Sequence, residues 1–192
     1  MPHLPRRTLL QAALPALALA LPAGAADDPL ATLLALIARR LGIGRVVAQA
    51  KWNSGAPIAD PEREARVIAA ARAQAAAAGI DPDALSALLR AQIEASKLLQ
   101  QQLHAEWRAA AHPPFADVPD LAIDIRTRLD RLGEALPPAL AAALPKLPGN
   151  CQDLDRQAEI MLAGFDAPVR AQAIEPLRRW AGCDGHGKPR VP

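Results

Sequence analysis

The chain contains no tyrosine, two phenylalanines and three tryptophans, so aromatics make up only 3% of its 192 residues. Runs of β-branched or aromatic residues with period two are missing as well, which argues against a sheet-based core. A surplus of one charge is lacking too: 22 Lys and Arg stand against 20 Asp and Glu. Without a basic excess there is no long-range field for nucleic acid or anionic lipid, and anion binding must come from local clustering. Cysteine is limited to Cys151 and Cys183, and no histidine lies at ligand spacing from either, which leaves a metal site unsupported. No Ser–His–Asp or Cys–His arrangement is evident, which disfavours a hydrolase. What remains is rich in alanine and leucine, punctuated by 19 prolines. The composition reads as all-α, and the length suits one domain with a proper core.

Arg6-Arg7 precede an apolar stretch from Leu9 to Leu21 that ends in Ala23-Gly24-Ala25. This is the layout of a cleaved signal peptide over residues 1–25, and the stretch is short for a membrane anchor. The paired arginines resemble a twin-arginine signal, although ordinary signals also carry Arg-Arg, so the export route stays open. Loss of Arg6 and Arg7 leaves 20 basic residues against 20 acidic ones, a neutral mature chain expected in the periplasm or medium and free of the membrane. An oxidising compartment favours a Cys151–Cys183 disulfide. Closing a loop of about 33 residues would stabilise the fold by about 3–4 kcal/mol in the chain-entropy model.

Along residues 26–183, read as a single helical domain, the helices announce their own ends. The first is expected from about Pro29 to Asn53, capped by Asp27 or Asp28 and weakened at Gly42 and Gly44. Asp60-Pro61 and Asp81-Pro82 each give an N-cap followed by proline at the first helical position. The helices they start should end at Gly79 and about Ala111. A fourth helix is expected from Asp120 to Ala135, broken at Pro137-Pro138, with a short piece on to Leu144. Two more follow, Asn150–Ala163 and Ala167–Ala181, the latter bent at Pro176. Residues 184–192 read as a loose tail. A bundle of about six helices is predicted.

The third of these helices carries an oddity. Leu85, Leu89, Gln92, Ser96, Gln100, Leu103 and Trp107 fall on one stripe, so three polar residues lie on the face meant for burial. They can satisfy one another as an internal network, or they can line a polar pocket. Arg40 and Lys51 are eleven residues apart and share a face of the first helix, roughly 16 Å apart on an ideal axis. Ordinary solvated cations would look the same. The Asp60–Glu64 stretch likewise fits first-turn acids answering the helix dipole.

Taken together, Lys51-Trp52, Pro57-Ile58, Asp60, Arg63-Glu64, Asp81-Pro82, Gln92-Ile93, Ser96, Gln100 and Trp107 resemble the all-helical chorismate mutases. The signal peptide, C-terminal helices and cysteine pair are similar to the exported, gamma-type branch. That resemblance implies an isomerase that rearranges chorismate to prephenate, works without cofactor or metal, and forms a homodimer with a complete site in each chain. It implies roles as well. Arg40, Lys51 and Arg63 match cationic positions for the substrate carboxylates and ether oxygen, and Gln100 joins Lys51 at that oxygen. Ser96 matches a hydroxyl near a carboxylate, and Glu64, helped by the Asp60 backbone, matches the acid that holds the ring hydroxyl. A further arginine should come from the second half of the chain. Arg126 is the candidate, but reaching it from Pro119-Asp120-Leu121 needs a one-residue shift, so Arg128 competes with it.

A unimolecular rearrangement of a dicarboxylate needs no nucleophile, only a frozen near-attack geometry and donors aimed where charge grows. Planar arginine forks suit the carboxylates. Glutamine at position 100 donates at any ordinary pH, whereas the glutamate found in some exported relatives must first be protonated. The competing expectation is an exported helical binding module, or a mutase-like chain without activity. A lipid-binding bundle is argued against by the polar stripe.

Overall fold

The computed structural model describes residues 28–183. The signal-peptide and tail expectations fall outside these residues. Six α-helices build the fold, and no strand occurs among the described residues: α1 (Pro29–Ser54), α2 (Pro61–Ala77), α3 (Pro82–Ala109), α4 (Arg126–Ala143), α5 (Cys151–Met161) and α6 (Ala167–Ala181). A π-helical turn, Leu121–Ile125, leads into α4, and a 3₁₀ turn, Leu144–Lys146, leaves it.

The Asp-Pro signals act as expected. Asp28, Asp60 and Asp81 cap α1, α2 and α3, their carboxylates accepting from the backbone N–H of Leu30 (2.9 Å), Arg63 (3.1 Å) and Asp83 (2.8 Å). Each satisfies a donor that the first turn leaves orphaned. α1 ends at Gly55, whose φ of 67° is the left-handed conformation that glycine adopts without strain.

α3 is the spine of the molecule, with α1 and α2 on one side and α6 on another, while α1 also packs on α4 and α5. Leu33, Leu34, Ile37, Leu85, Leu88, Leu136, Leu140, Leu154 and Leu177 are fully buried in a core shared by these helices. α1 stays helical through both glycines. Gly44 faces α3 so closely that a Cβ there would lie 2.9 Å from Ser96 Oγ. Its lack of a side chain sets the approach of α1 to α3 at the level of Ser96.

One proline expectation needs correction. Pro137 and Pro138 lie inside α4, and the helix runs unbroken to Ala143. They take the N–H groups away from the carbonyls of Gly133 and Glu134, at a usual cost of about 3 kcal/mol or more per interior proline. Burial of Leu136, Pro137, Ala139, Leu140 and Ala143 holds the helix together across that gap. Pro176 lies inside α6, whose bounds are those expected.

Cys151 at the start of α5 and Cys183 just beyond α6 form a disulfide, with Cα atoms 5.2 Å apart. Asp155 lies close enough to complete a three-ligand cluster, but the joined sulfurs have no thiolate to offer a metal. Among the described residues no helix is long and apolar enough to cross a membrane.

Candidate active site

A cavity of about 340 Å³ opens between α1, α2, α3 and the first turns of α4. That volume falls in the range of small-molecule sites. All eight residues expected from the sequence to contact a substrate line it: Arg40, Lys51, Asp60, Arg63, Glu64, Ser96, Gln100 and Arg126. Among the described residues no histidine or cysteine does.

Helical register explains the convergence. Arg40 and Lys51 are three turns apart on α1 and look the same way. The Asp60 cap starts α2 so that Arg63 and Glu64 fall in its first turn. Gln92, Ser96 and Gln100 succeed one another every fourth residue along α3. Gln92 and Gln100 are 2% and 3% exposed, which makes the polar stripe a lined interior rather than a wet edge.

The fourth wall follows the π turn. Such a turn holds one residue more than an α turn and so rotates everything after it. Behind Leu121–Ile125, Arg126 comes round to the cavity, where its Nη2 donates to Asp60 Oδ2 at 2.7 Å. The one-residue shift needed to align Arg126 lies beside this extra residue. Arg128 instead lines a separate hollow, together with Arg39 and Arg131.

The cations are held in two different ways. Arg63 pairs with Asp130 and Arg126 with Asp60, so each has a carboxylate partner. Arg40 and Lys51 have neutral ones. Arg40 Nε donates to Gln92 Oε1 at 2.8 Å and its Nη1 to the Leu129 carbonyl at 3.0 Å. Lys51, only 8% exposed, donates to the Ile58 carbonyl. Burial pushes the Arg40 guanidinium down to about 10, with Asp130 opposing and Arg63 adding to the shift. Burial also lowers Lys51, against the pull of Asp60, with the positive charge of Arg126 acting the same way as burial. Arg40 therefore remains charged near neutrality.

Glu64 is spoken for in this arrangement. One oxygen accepts from the Asp60 backbone N–H at 3.2 Å and the other from Lys97 Nζ at 3.3 Å. The Asp60 N–H, expected to help at the ring hydroxyl, is therefore engaged by Glu64. Gln100 Nε2 donates to Ser96 Oγ at 3.1 Å, and Gln100 Oε1 is buried without a partner. Because a serine hydroxyl both donates and accepts, the amide can turn over, give its oxygen to Ser96 and release the NH₂ toward the cavity.

Six further polar side chains line the cavity without a role in the expected set: Arg66, Gln74, Gln92, Lys97, Asp130 and Glu134, of which Gln92 stood only in the polar stripe. Asp130 could have been found, since it sits four residues after Arg126 on one helix face. Lys97 and Glu134 carry no local signal that separates them from surface charges. A cluster of cations around an enclosed polar floor, without a nucleophile–base pair, suits a small organic dianion held and oriented rather than attacked.

Residues 31–101 match the family chorismate mutase type II. A secreted chorismate mutase of Mycolicibacterium smegmatis is 35% identical over 160 residues, covering 80% of this chain and 87% of that protein. The chain belongs to the chorismate mutase family. A secreted chorismate mutase of Yersinia pestis is 31% identical over 109 residues, 57% of this chain and 58% of that one. Among solved structures, the chorismate mutase of Burkholderia thailandensis superposes with a TM-score of 0.71 at 37% identity, covering 79% of this chain and 99% of that one. That of Burkholderia phymatum gives 0.72 at 28%, covering 80% and 98%. The family's all-helical fold is the fold described here.

Proposed function

We propose that this chain is an exported chorismate mutase that converts chorismate to prephenate within one cavity of one chain. The observation that carries the reading is the meeting of Arg40, Lys51, Arg63 and Arg126 with Gln100 and Ser96 around one cavity. The arginines take the two carboxylates of the extended substrate, and Ser96 lies beside one of them. Glu64 accepts the ring hydroxyl. Chorismate is thereby held folded in a chair-like arrangement in which the breaking C–O and forming C–C bonds lie close.

As the C–O bond breaks, negative charge grows on the ether oxygen. The Lys51 ammonium and the Gln100 amide donate there and stabilise the transition state more than the ground state. A millionfold acceleration needs about 8 kcal/mol, within reach of positioning and two or three charge-assisted contacts. No group in this scheme changes oxidation state or bonds covalently to substrate, so neither cofactor nor metal has a task. Export over residues 1–25, cleavage ahead of a single domain at 26–183, a location in the periplasm or medium away from the membrane, and a homodimer complete this reading. The names of the secreted relatives and the disulfide support export.

The test is loss of chorismate absorbance with prephenate identified as product, using residues 26–192. Arg63→Ala and Lys51→Ala should each lower kcat/KM by about a hundredfold or more, the usual effect of removing a transition-state donor. Circular dichroism should show helicity and melting close to wild type for Arg63→Ala. A folded wild type that converts nothing would leave a binding module on a mutase scaffold.

A further inference from the structure

We propose that Gln92 is a positioning residue that orients Arg40 without neutralising it. The inference rests on the mutase reading of the cavity and concerns a side chain with no part in the scheme above. Arg40 Nε is fixed by Gln92 Oε1 at 2.8 Å and Nη1 by the Leu129 carbonyl at 3.0 Å, two acceptors that carry no net charge. No carboxylate lies within 4.0 Å of Arg40 among the described residues, whereas Arg63 and Arg126 each have one. Of the four arginines that line the cavity, Arg40 alone has no carboxylate in contact among the described residues.

The far end of the same amide shows what this arrangement sacrifices. Gln92 Nε2 is buried and has no hydrogen-bond partner. A buried donor left unpaired weakens a fold. Glutamate, of the same size, would remove that donor and give Arg40 a charge-assisted bond. Leucine or methionine would remove it too, but would strip the buried Arg40 Nε of its acceptor. Stability alone therefore favours glutamate over glutamine at position 92. Orientation of a still-charged guanidinium favours glutamine: the oxygen supplies direction, and the amide supplies no charge. Gln92 lies one turn before Ser96 on α3, so it holds Arg40 from within the row that lines the cavity.

Fold stability and substrate binding should therefore respond in opposite senses to one change. In Gln92→Glu the new carboxylate competes with the substrate carboxylate for Arg40. KM for chorismate should rise about tenfold or more near neutral pH, with a smaller change in kcat, while the melting temperature holds or rises. Gln92→Met keeps the bulk but leaves Arg40 Nε without its acceptor, so it should lower kcat as well as raise KM, with some loss of melting temperature. Steady-state kinetics and thermal melting of the wild type and both variants decide the matter. An active wild type with Gln92→Glu matching its KM would overturn the inference alone. So would kinetic defects that appear only together with a lower melting temperature in both variants, the mark of a purely structural residue. An inactive wild type would overturn the mutase reading and this inference with it.

Discussion

At the scale of single residues, the pH response of the site follows from Lys51 and Gln100. Burial lowers the Lys51 pKa, so its ammonium loses its proton at lower pH than an ordinary lysine. Activity should decline on the alkaline side as the donor at the ether oxygen loses its charge. The fold should not decline with it on this account. A lysine whose folded pKa is depressed opposes folding while protonated, and the unfolded chain binds more protons between the folded and unfolded values. The stability contributed by Lys51 therefore rises with pH through that window. On the acid side Gln100 has no proton to gain, so kcat/KM should be level from mildly acidic to neutral pH. Gln100→Glu should introduce an acid-side optimum, since a carboxyl must be protonated to donate. Profiles of kcat/KM against pH, run beside denaturant midpoints, check both limbs. A Gln100→Glu enzyme with the wild-type profile would remove Gln100 from the ether oxygen.

At the scale of elements, the π turn explains the ambiguity between Arg126 and Arg128. Leu121–Ile125 is one residue longer than an α turn, and its Ile123 side chain is 73% exposed with no core to serve. Deleting Ile123 should let the segment wind as α-helix from the Asp120 cap and carry Arg126 to the same wall. Turnover within about tenfold of wild type and an unchanged melting temperature are expected, as for other surface changes that leave packing intact. A collapse of kcat/KM with the fold preserved would mean that the π turn itself aims Arg126. This turn was illegible in the sequence because no residue preference marks it. The Asp-Pro starts of the first three helices were legible, because cap and proline chemistry are local. Pro137-Pro138 misled for the opposite reason: tertiary burial of Leu136 and Leu140 outweighs a local breaking signal. The site divides the same way. Arg40, Lys51, Ser96 and Gln100 share helical faces that spacing reveals, whereas the meeting of Gln92 with Arg40 spans 52 positions and exists only once α1 packs on α3.

At the scale of the whole molecule, the work of the chain is divided between its two ends. Every wall of the cavity comes from α1 to α4 and the segments leading into α2 and α4, and no residue of α5 or α6 lines it. α6 instead backs α3 from outside the site, and the Cys151–Cys183 bond closes α5 and α6 into one loop against it. Arg178 pairs with Asp155 between the same two helices, a second but weaker tie on a partly exposed surface. With 32 positions between the cysteines, the loop-entropy contribution comes to about 3–4 kcal/mol. Replacing both by alanine should therefore lower unfolding free energy by about that amount, measured by urea denaturation. Below the melting transition, kcat and KM should stay near wild type. If instead KM rose in the folded double variant, the support that α6 gives to α3 would have to reach the row from Gln92 to Gln100. The C-terminal pair would then be part of the site's alignment and not only of its endurance.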